Sequence, residues 1–185
     1  TVMRNLIVLV LPLFTIACAP ERDQPSRATV APAASTQPAG PPTVVETVSA
    51  VVELAATEGH RASGRLSVER EGQALRVRGL LSGLGADSEH GFHIHENGDC
   101  SAADASSAGA HFNPLGHAHG HPGAGEHHAG DMLNVRADGQ GAARVDILLP
   151  GLGLRDGSAS DVIGRAIVVH KDADDYASQP AGNAG

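Results

Sequence analysis

The chain has 185 residues, a formal net charge of −8 and no tryptophan, with 23 glycines and 11 prolines. Its acidity and its lack of a Lys/Arg cluster argue against a nucleic-acid partner. Because aromatic residues are so few, the core must come from Val, Leu, Ile and Ala, and the many turn-forming residues favour an all-β domain. Two cysteines, Cys18 and Cys100, are too few for a disulfide scaffold.

Residues 1–18 predict an export signal. Arg4 supplies a short positive region, and residues 6–17 form an apolar run that is too short to span a bilayer stably. The segment Thr15-Ile16-Ala17-Cys18 resembles the cleavage box of bacterial lipoproteins, in which Cys18 carries a lipid that anchors the protein to the membrane. Ordinary cleavage after the A-x-A-like Ala17-Cys18-Ala19 is the alternative. Either route predicts a periplasmic or cell-envelope location, which is oxidising.

Residues 19–44 are rich in Pro, Ala, Ser and Thr and show no apolar periodicity, which predicts a flexible linker. A tail without any spacer role is the alternative. From residue 45 the pattern changes, and we place a folded domain at 45–185. No helix longer than two turns is expected. Alternation of apolar and polar residues predicts strands near residues 48–54, 65–69, 75–78, 91–95, 133–137, 145–149 and 163–170.

Short antiparallel strands at this spacing predict a β-sandwich or β-barrel of about eight strands. Two long loops interrupt them, at about residues 97–130 and 150–162. Loops of this length in a compact domain are usually functional or disordered. The first loop contains most of the histidines, so we look for function there.

Nine of the 11 histidines lie between His90 and Asp131. His93 and His95 are two residues apart in a predicted strand, so both imidazoles point to the same face and can reach one ion. His170 ends another predicted strand, which pairing could bring to the same place. The first loop supplies a second set, in which three nitrogens and one carboxylate oxygen suit zinc: His111, His119, His128 and Asp131. A purely structural, His-rich polar loop is the alternative.

In their order and spacing these motifs resemble the copper/zinc superoxide dismutase family, in its bacterial exported branch. The resemblance covers roughly residues 46–185 and implies a Greek-key β-barrel. It is carried by Gly91-Phe92-His93-Ile94-His95-Glu96, Gly98-Asp99, His111-Phe112-Asn113-Pro114-Leu115, His128-Ala129-Gly130-Asp131 and Gly164-Arg165-Ala166-Ile167-Val168-Val169-His170.

The resemblance also implies a role for each site residue. Copper is expected on His93, His95, His111 and His170. Zinc is expected on His111, His119, His128 and Asp131, so that His111 bridges the two ions and is the catalytic residue. Asp174 is expected to join the rings of His93 and His119 and thereby to fix their orientation. His90 is expected to be a structural histidine that bonds to the backbone.

The implied activity is conversion of superoxide anion to oxygen and hydrogen peroxide by copper cycling, with zinc in a structural role. The alternative is a non-enzymatic protein of the same fold that buffers or delivers copper or zinc. The sequence leaves open whether the protein is a monomer or a homodimer.

Three family features are expected beyond Gly185: an arginine that guides superoxide, the cysteine that pairs with Cys100, and the remainder of the truncated last strand. We therefore expect the reading frame to continue. His60 has no assigned role. The remaining loop histidines are interpreted as solvated residues, with a metal-capturing surface as the alternative: His117, His121 and His127.

Overall fold

The structure is a computed structural model that describes residues 48–185. The predicted export signal, linker and Cys18 lie outside the described residues. The described residues form eight strands and one short 3-10 helix, which confirms the all-β prediction. The strands are β1 (Ser49–Leu54), β2 (Ser63–Glu71), β3 (Ala74–Ser82), β4 (Glu89–His90), β5 (Phe92–His95), β6 (Val135–Arg136), β7 (Ala143–Pro150) and β8 (Ala166–Val169). Within this part of the chain, no helix has the length and apolar character needed to cross a membrane.

A four-stranded antiparallel sheet in the order β1-β2-β3-β7 forms one wall of the domain. The tight turn between β2 and β3 contains Gly72 at a φ of 62°, a conformation that glycine adopts without steric cost. Period-two alternation gives the sheet two different faces. Leu66 and Leu75 are fully buried on its inner face, whereas Arg76 on the outer face pairs with Asp146 at 2.7 Å.

The opposite wall consists of two short antiparallel pairs, β4 with β6 and β5 with β8. The chain returns to the first sheet only at β7, next to β3, and this long connection is typical of Greek-key proteins. Among the described residues β1 pairs only with β2 and β8 only with β5, so the barrel is not closed between β1 and β8.

Strand β5 is buried on both faces, and this property positions the site. Phe92 and Ile94 point into the aliphatic core, where their neighbours include Leu66 and Met132. His93 and His95 point to the other face, away from the core, and are also buried. The alternation predicted for this strand therefore places its apolar residues on the side that faces the core and its histidines on the side that forms the site.

The structure differs from the sequence prediction at the strand ends. Residues 133–137 were expected to form a strand, but β6 contains only Val135 and Arg136, and Leu133 is 47% exposed. The reason is tertiary: the backbone N–H of the neighbouring Asn134 donates to the hydroxyl of Tyr176 at 2.6 Å and not to a sheet ladder, and its side chain bonds to the backbone of Asp174. The two predicted long loops are present, between β5 and β6 and between β7 and β8.

Candidate metal centre

The first group of converging side chains is built on the β5–β8 pair. His93 and His95 lie on β5, and His170 follows β8 directly, where its N–H donates to the carbonyl of Gly91 at 2.8 Å. His111 enters from the long loop through a β-bridge to His95. One ligand atom from each of these four histidines lies within 4.8 Å of the others. Paired strands therefore supply three of the four positions, and the loop supplies one.

The second group lies next to the first and shares His111 with it. Its other members come from the long loop, and all four are buried: His111, His119, His128 and Asp131. Again one ligand atom from each lies within 4.8 Å of the others. The structure thus brings together all seven residues that the sequence analysis selected for the two sites, and it places His111 between the two groups.

The carboxylate of Asp131 organises the second group. Its Oδ1 accepts a hydrogen bond from His111 Nδ1 at 2.8 Å, and its Oδ2 accepts the backbone N–H groups of His128 at 2.9 Å and Gly120 at 3.2 Å. The Nδ1 atoms of His119 and His128 lie 3.1 Å and 3.3 Å from this carboxylate. Three imidazoles and one carboxylate around a common point form the closed donor set that zinc prefers.

Backbone carbonyls fix the tautomers of two histidines in the first group. His95 Nδ1 donates to the carbonyl of Gly109 and His170 Nδ1 donates to the carbonyl of Gly185, both at 2.8 Å. Each neutral ring then carries its lone pair on Nε2. These two Nε2 atoms face each other at 3.3 Å. Two lone pairs in that position repel each other unless a cation lies between them. A metal ion bound to both nitrogens would remove this repulsion.

Four buried ring nitrogens have no hydrogen-bond partner among the described residues: His93 Nδ1, His111 Nε2, His119 Nδ1 and His128 Nδ1. A buried polar atom without a partner is costly, so such atoms need an explanation. Here all four belong to the two groups and point toward their centres. The donor sets therefore fit metal ions, with imidazoles alone in the first group and three imidazoles plus a carboxylate in the second.

Asp174 connects the two groups through hydrogen bonds to one histidine of each. It is 3% exposed, and its carboxylate accepts hydrogen bonds from His93 Nε2 at 2.7 Å and from His119 Nε2 at 3.0 Å. Since both Nε2 atoms donate, both Nδ1 atoms carry lone pairs toward the groups. The structure thus gives Asp174 the contacts that the resemblance implied.

Burial lowers the pKa values of four histidines of the two groups, His93, His95, His128 and His170, which favours their neutral, metal-binding form. The pKa of His93 falls to about 3, chiefly because burial disfavours the cation and also because His111 and His170 lie close by. Burial lowers the pKa of His95 to about 4. It also lowers the pKa values of His128 and His170. Burial alone would raise the pKa of Asp131, but the hydrogen bond from His111 and the nearby His128 and His119 bring it below its usual range.

Several residues that support the centre were not identified from the sequence. The side chain of Gln179 brackets the backbone of His119, with its Oε1 accepting at 3.0 Å and its Nε2 donating at 2.9 Å. The side chain of Asn134 holds the backbone of Asp174 through two contacts of 3.0 Å. Gly182 lies against Asp174 at a φ of 73°. These contacts link distant parts of the chain, so they could not be predicted from a local sequence pattern.

The other predicted residues lie outside the two groups. Cys100 is a free, exposed thiol, and no disulfide is present among the described residues. His90 bonds to the carbonyl of His170 through Nδ1 at 2.8 Å and to Ser88 Oγ through Nε2 at 2.7 Å. It contacts the backbone as expected. The four remaining histidines are exposed or half-buried, and the structure gives none of them a place in either group: His60, His117, His121 and His127.

The fold and the site together define an all-β protein of Greek-key type with two adjoining groups of side chains that can each hold a metal ion and that share one histidine. The copper/zinc superoxide dismutase family model matches residues 62–185. The chain is 38% identical over 141 residues to copper/zinc superoxide dismutase 2 of Aquifex aeolicus (strain VF5), covering 75% of this chain and 82% of that protein. It is 39% identical over 148 residues to the copper/zinc superoxide dismutase of Paramecium bursaria Chlorella virus 1, covering 77% and 75%.

Among solved structures, a superoxide dismutase-like protein from Bacillus subtilis superposes with a TM-score of 0.66 at 34% identity, covering 73% of this chain and 91% of that one. The chain belongs to the copper/zinc superoxide dismutase family. The family binds copper and zinc, and both groups of side chains described above can hold metal ions.

Proposed function

We propose that this protein is a superoxide dismutase, which converts two superoxide anions and two protons to oxygen and hydrogen peroxide. The observation that carries the proposal is the position of His111, whose Nε2 faces the first group while its Nδ1 faces the second. A histidine shared between two metal sites is unnecessary for simple metal storage. It is useful where one ring nitrogen must alternate between binding a metal and holding a proton.

The donor sets suggest which metal goes where. Copper fits the first group, His93, His95, His111 and His170, because imidazoles suit copper in both oxidation states. Zinc fits the second group, His111, His119, His128 and Asp131, because this closed set of three nitrogens and one carboxylate is typical of structural zinc. When bound, copper supplies the one-electron redox couple that dismutation requires, and zinc has no such couple.

The protein's own groups fix the orientation of the ligand rings and provide a nitrogen that can hold a proton. His93, His95 and His170 are held from behind by Asp174 and by the carbonyls of Gly109 and Gly185, so their rings cannot turn. The second nitrogen of His111, Nδ1, lies 2.8 Å from Asp131 inside the proposed zinc group and so is not available to the first group. Nε2 is therefore the atom at which His111 can hold a proton for the superoxide that is being reduced.

The most direct test is superoxide decay, followed by stopped-flow absorbance on the full chain loaded with copper and zinc. His111→Ala should lose most of the activity, whereas the exposed His60→Ala should retain it. Metal analysis of the same samples is expected to give one copper and one zinc per wild-type chain. If His111→Ala turns over superoxide as fast as wild type, His111 is not the catalytic bridge.

A non-enzymatic role in buffering or delivering copper or zinc is the second candidate. The half-buried histidines of the same loop, His117, His121 and His127, favour it, and the solved relative is itself named only superoxide dismutase-like. A protein that binds both metals with the expected stoichiometry but does not accelerate superoxide decay would support this second candidate.

We further propose that the protein works in the periplasm or cell envelope, exported by the signal in residues 1–18 and anchored through a lipid on Cys18. The support is the sequence of that segment. Metabolic labelling with a radioactive fatty acid in a bacterial host should mark the wild type and not Cys18→Ser. Unlabelled wild-type protein recovered in the soluble periplasmic fraction would favour ordinary cleavage.

A further inference from the structure

Tyr176 lies between the long loop that follows β5 and the segment that carries Asp174, and it belongs to neither group of ligands. Its ring is half-buried, and it is the only tyrosine of the chain. The hydroxyl accepts the backbone N–H of Asn134 at 2.6 Å, and the backbone N–H of Tyr176 donates to Oδ1 of Asp174, also at 2.6 Å. The ring packs edge to face against the ring of His121, with 4.7 Å between the two centroids. Tyr176 thus contacts the long loop, the residue before β6 and Asp174.

The backbone of Tyr176 has a φ of 57°, in the left-handed region that bulky residues rarely adopt. A residue keeps such a conformation where the surrounding contacts fix it, and residues of this kind are concentrated at functional sites. Here the N–H of Tyr176 donates to Oδ1 of Asp174, the same oxygen that accepts the Nε2–H of His119 at 3.0 Å. Tyr176 therefore helps to hold the carboxylate that sets the tautomer of His119.

The partner ring on the long loop is itself held in place. His121 Nδ1 accepts the N–H of Gly123 and the carbonyl of His121 accepts the N–H of Ala124, both at 3.0 Å. His121 lies two residues after His119, and no other ring contact with Tyr176 is present in residues 48–185. Edge-to-face packing of aromatic rings is favourable beyond the area that it buries. The contact therefore joins the part of the loop next to His119 to the segment that orients the His119 ring.

We propose that Tyr176 is a positioning residue for the second group, and that its contact with His121 slows the release of zinc from that group. Among the described residues no hydrogen bond or ring contact joins Tyr176 to a proposed zinc ligand, so it acts through His121 and Asp174. The loop cannot carry His119 away from Asp174 without breaking the ring contact, and His119 Nδ1 therefore keeps facing the group. This inference rests on the proposed assignment of zinc to the second group.

Fluorescence tests the ring contact directly. Because the chain has one tyrosine and no tryptophan, its tyrosine emission reports on Tyr176 alone. With the full chain loaded with zinc and free of copper, quenching by acrylamide measures how readily solvent reaches the ring. Quenching should be stronger in His121→Ala than in wild type. His127→Ala removes another half-buried imidazole from the same loop and should be quenched as wild type is. Equal quenching in wild type and His121→Ala would show that the contact is not made.

The rate of zinc release tests the positioning role. Transfer of zinc from the same copper-free samples to a chromophoric chelator is followed over time. Tyr176→Leu and His121→Ala should each release zinc faster than wild type, by up to about tenfold, since loss of a group that orients a ligand costs about 10–100-fold in metal affinity. Tyr176→Phe keeps the ring and should release zinc much more slowly than Tyr176→Leu. His127→Ala should match wild type.

The double variant separates one shared contact from two independent effects. Tyr176→Leu combined with His121→Ala should release zinc no faster than the faster single variant, because both changes break the same contact. Rate increases that multiply in the double variant, or wild-type rates in both single variants, would overturn the proposal. If Tyr176→Leu does not bind one zinc per chain at the start, His121→Ala and Tyr176→Phe still decide the question. Neither measurement involves copper or superoxide, so the result is independent of whether the protein is a dismutase.

Discussion

The Oδ2 atom of Asp174 lies 2.7 Å from Nε2 of His93, although the two residues are 81 positions apart in the chain. The other oxygen of the same carboxylate lies 3.0 Å from Nε2 of His119. One buried acid thus sets the tautomer of a ring in each group. The two donor sets are coupled through this carboxylate as well as through the shared His111.

The coupling predicts the effect of Asp174→Asn. The amide keeps the volume of the carboxylate but has only one accepting oxygen, so one of the two rings loses its partner. Zinc affinity should fall by about 10–100-fold, measured by competition with a chelator of known affinity. Asp172→Asn is the matched control because that residue is exposed, and it should bind zinc as wild type does. Unchanged affinity in Asp174→Asn would show that Asp174 does not orient the ligands.

The positions of His93 and His95 could be predicted from the sequence because the two-residue repeat of a strand is a local property. The grouping of the loop residues could also be predicted, since the motif order around His111 and Asp131 resembles a family in which they converge. The contribution of Gln179 could not be predicted in this way. It holds a backbone segment 60 residues away, and nothing in its own neighbourhood distinguishes it from a solvated glutamine.

The ends of the strands could not be predicted from a local sequence pattern either. Leu133 continues the alternation of Val135 and Ala137, yet it is exposed, and the backbone N–H of the next residue, Asn134, donates to the hydroxyl of Tyr176 and not to a neighbouring strand. The predicted strand was therefore too long. Tertiary hydrogen bonds decided the outcome, and the apolar repeat alone contains no information on them.

Gly182 offers a second test of how tightly the site is packed. A Cβ at this position would collide with Asp174 Oδ1 and with His119 Nε2, and its φ of 73° also disfavours any other residue. Gly164→Ala is the control, because Gly164 has a similar φ of 80° but faces open space. The control should lose about 1–2 kcal/mol of unfolding free energy in urea from the backbone alone. Gly182→Ala should lose more and should also bind zinc more weakly; equal losses in the two variants would contradict the predicted collision.

Gln179→Ala removes both contacts to the backbone of His119 while leaving every proposed ligand in place. The loop should then release zinc faster, by up to about tenfold, with little change in copper content. Transfer of zinc to a chromophoric chelator, followed over time, measures the rate. Gln140→Ala is the control, because Gln140 lies in an exposed turn between β6 and β7. If Gln179→Ala releases zinc at the same rate as Gln140→Ala, the two hydrogen bonds from Gln179 to the His119 backbone have no role in holding the loop.

Lowering the pH should destabilise the metal-free protein at pH values above those at which the carboxylates titrate. His93 and His95 stay neutral in the folded state, with pKa values of about 3 and about 4, whereas an unfolded histidine has a pKa of about 6.5. Between about pH 6.5 and pH 4 the unfolded chain therefore binds more protons than the folded chain, so stability is fully present above pH 6.5 and is lost as the pH falls. Each such proton contributes a slope of up to about 1.4 kcal/mol per pH unit.

Urea unfolding of the metal-free chain at pH 7.5, 6.0 and 5.0 measures this slope. His95→Asn removes one of the two groups and should make the slope shallower, whereas His60→Asn changes an exposed residue and should leave it as in wild type. Bound metal excludes protons from the same nitrogens, so the loaded protein should retain its stability to lower pH until the ions dissociate. A metal-free chain whose unfolding free energy is the same at all three pH values would show that the buried imidazoles are not held neutral.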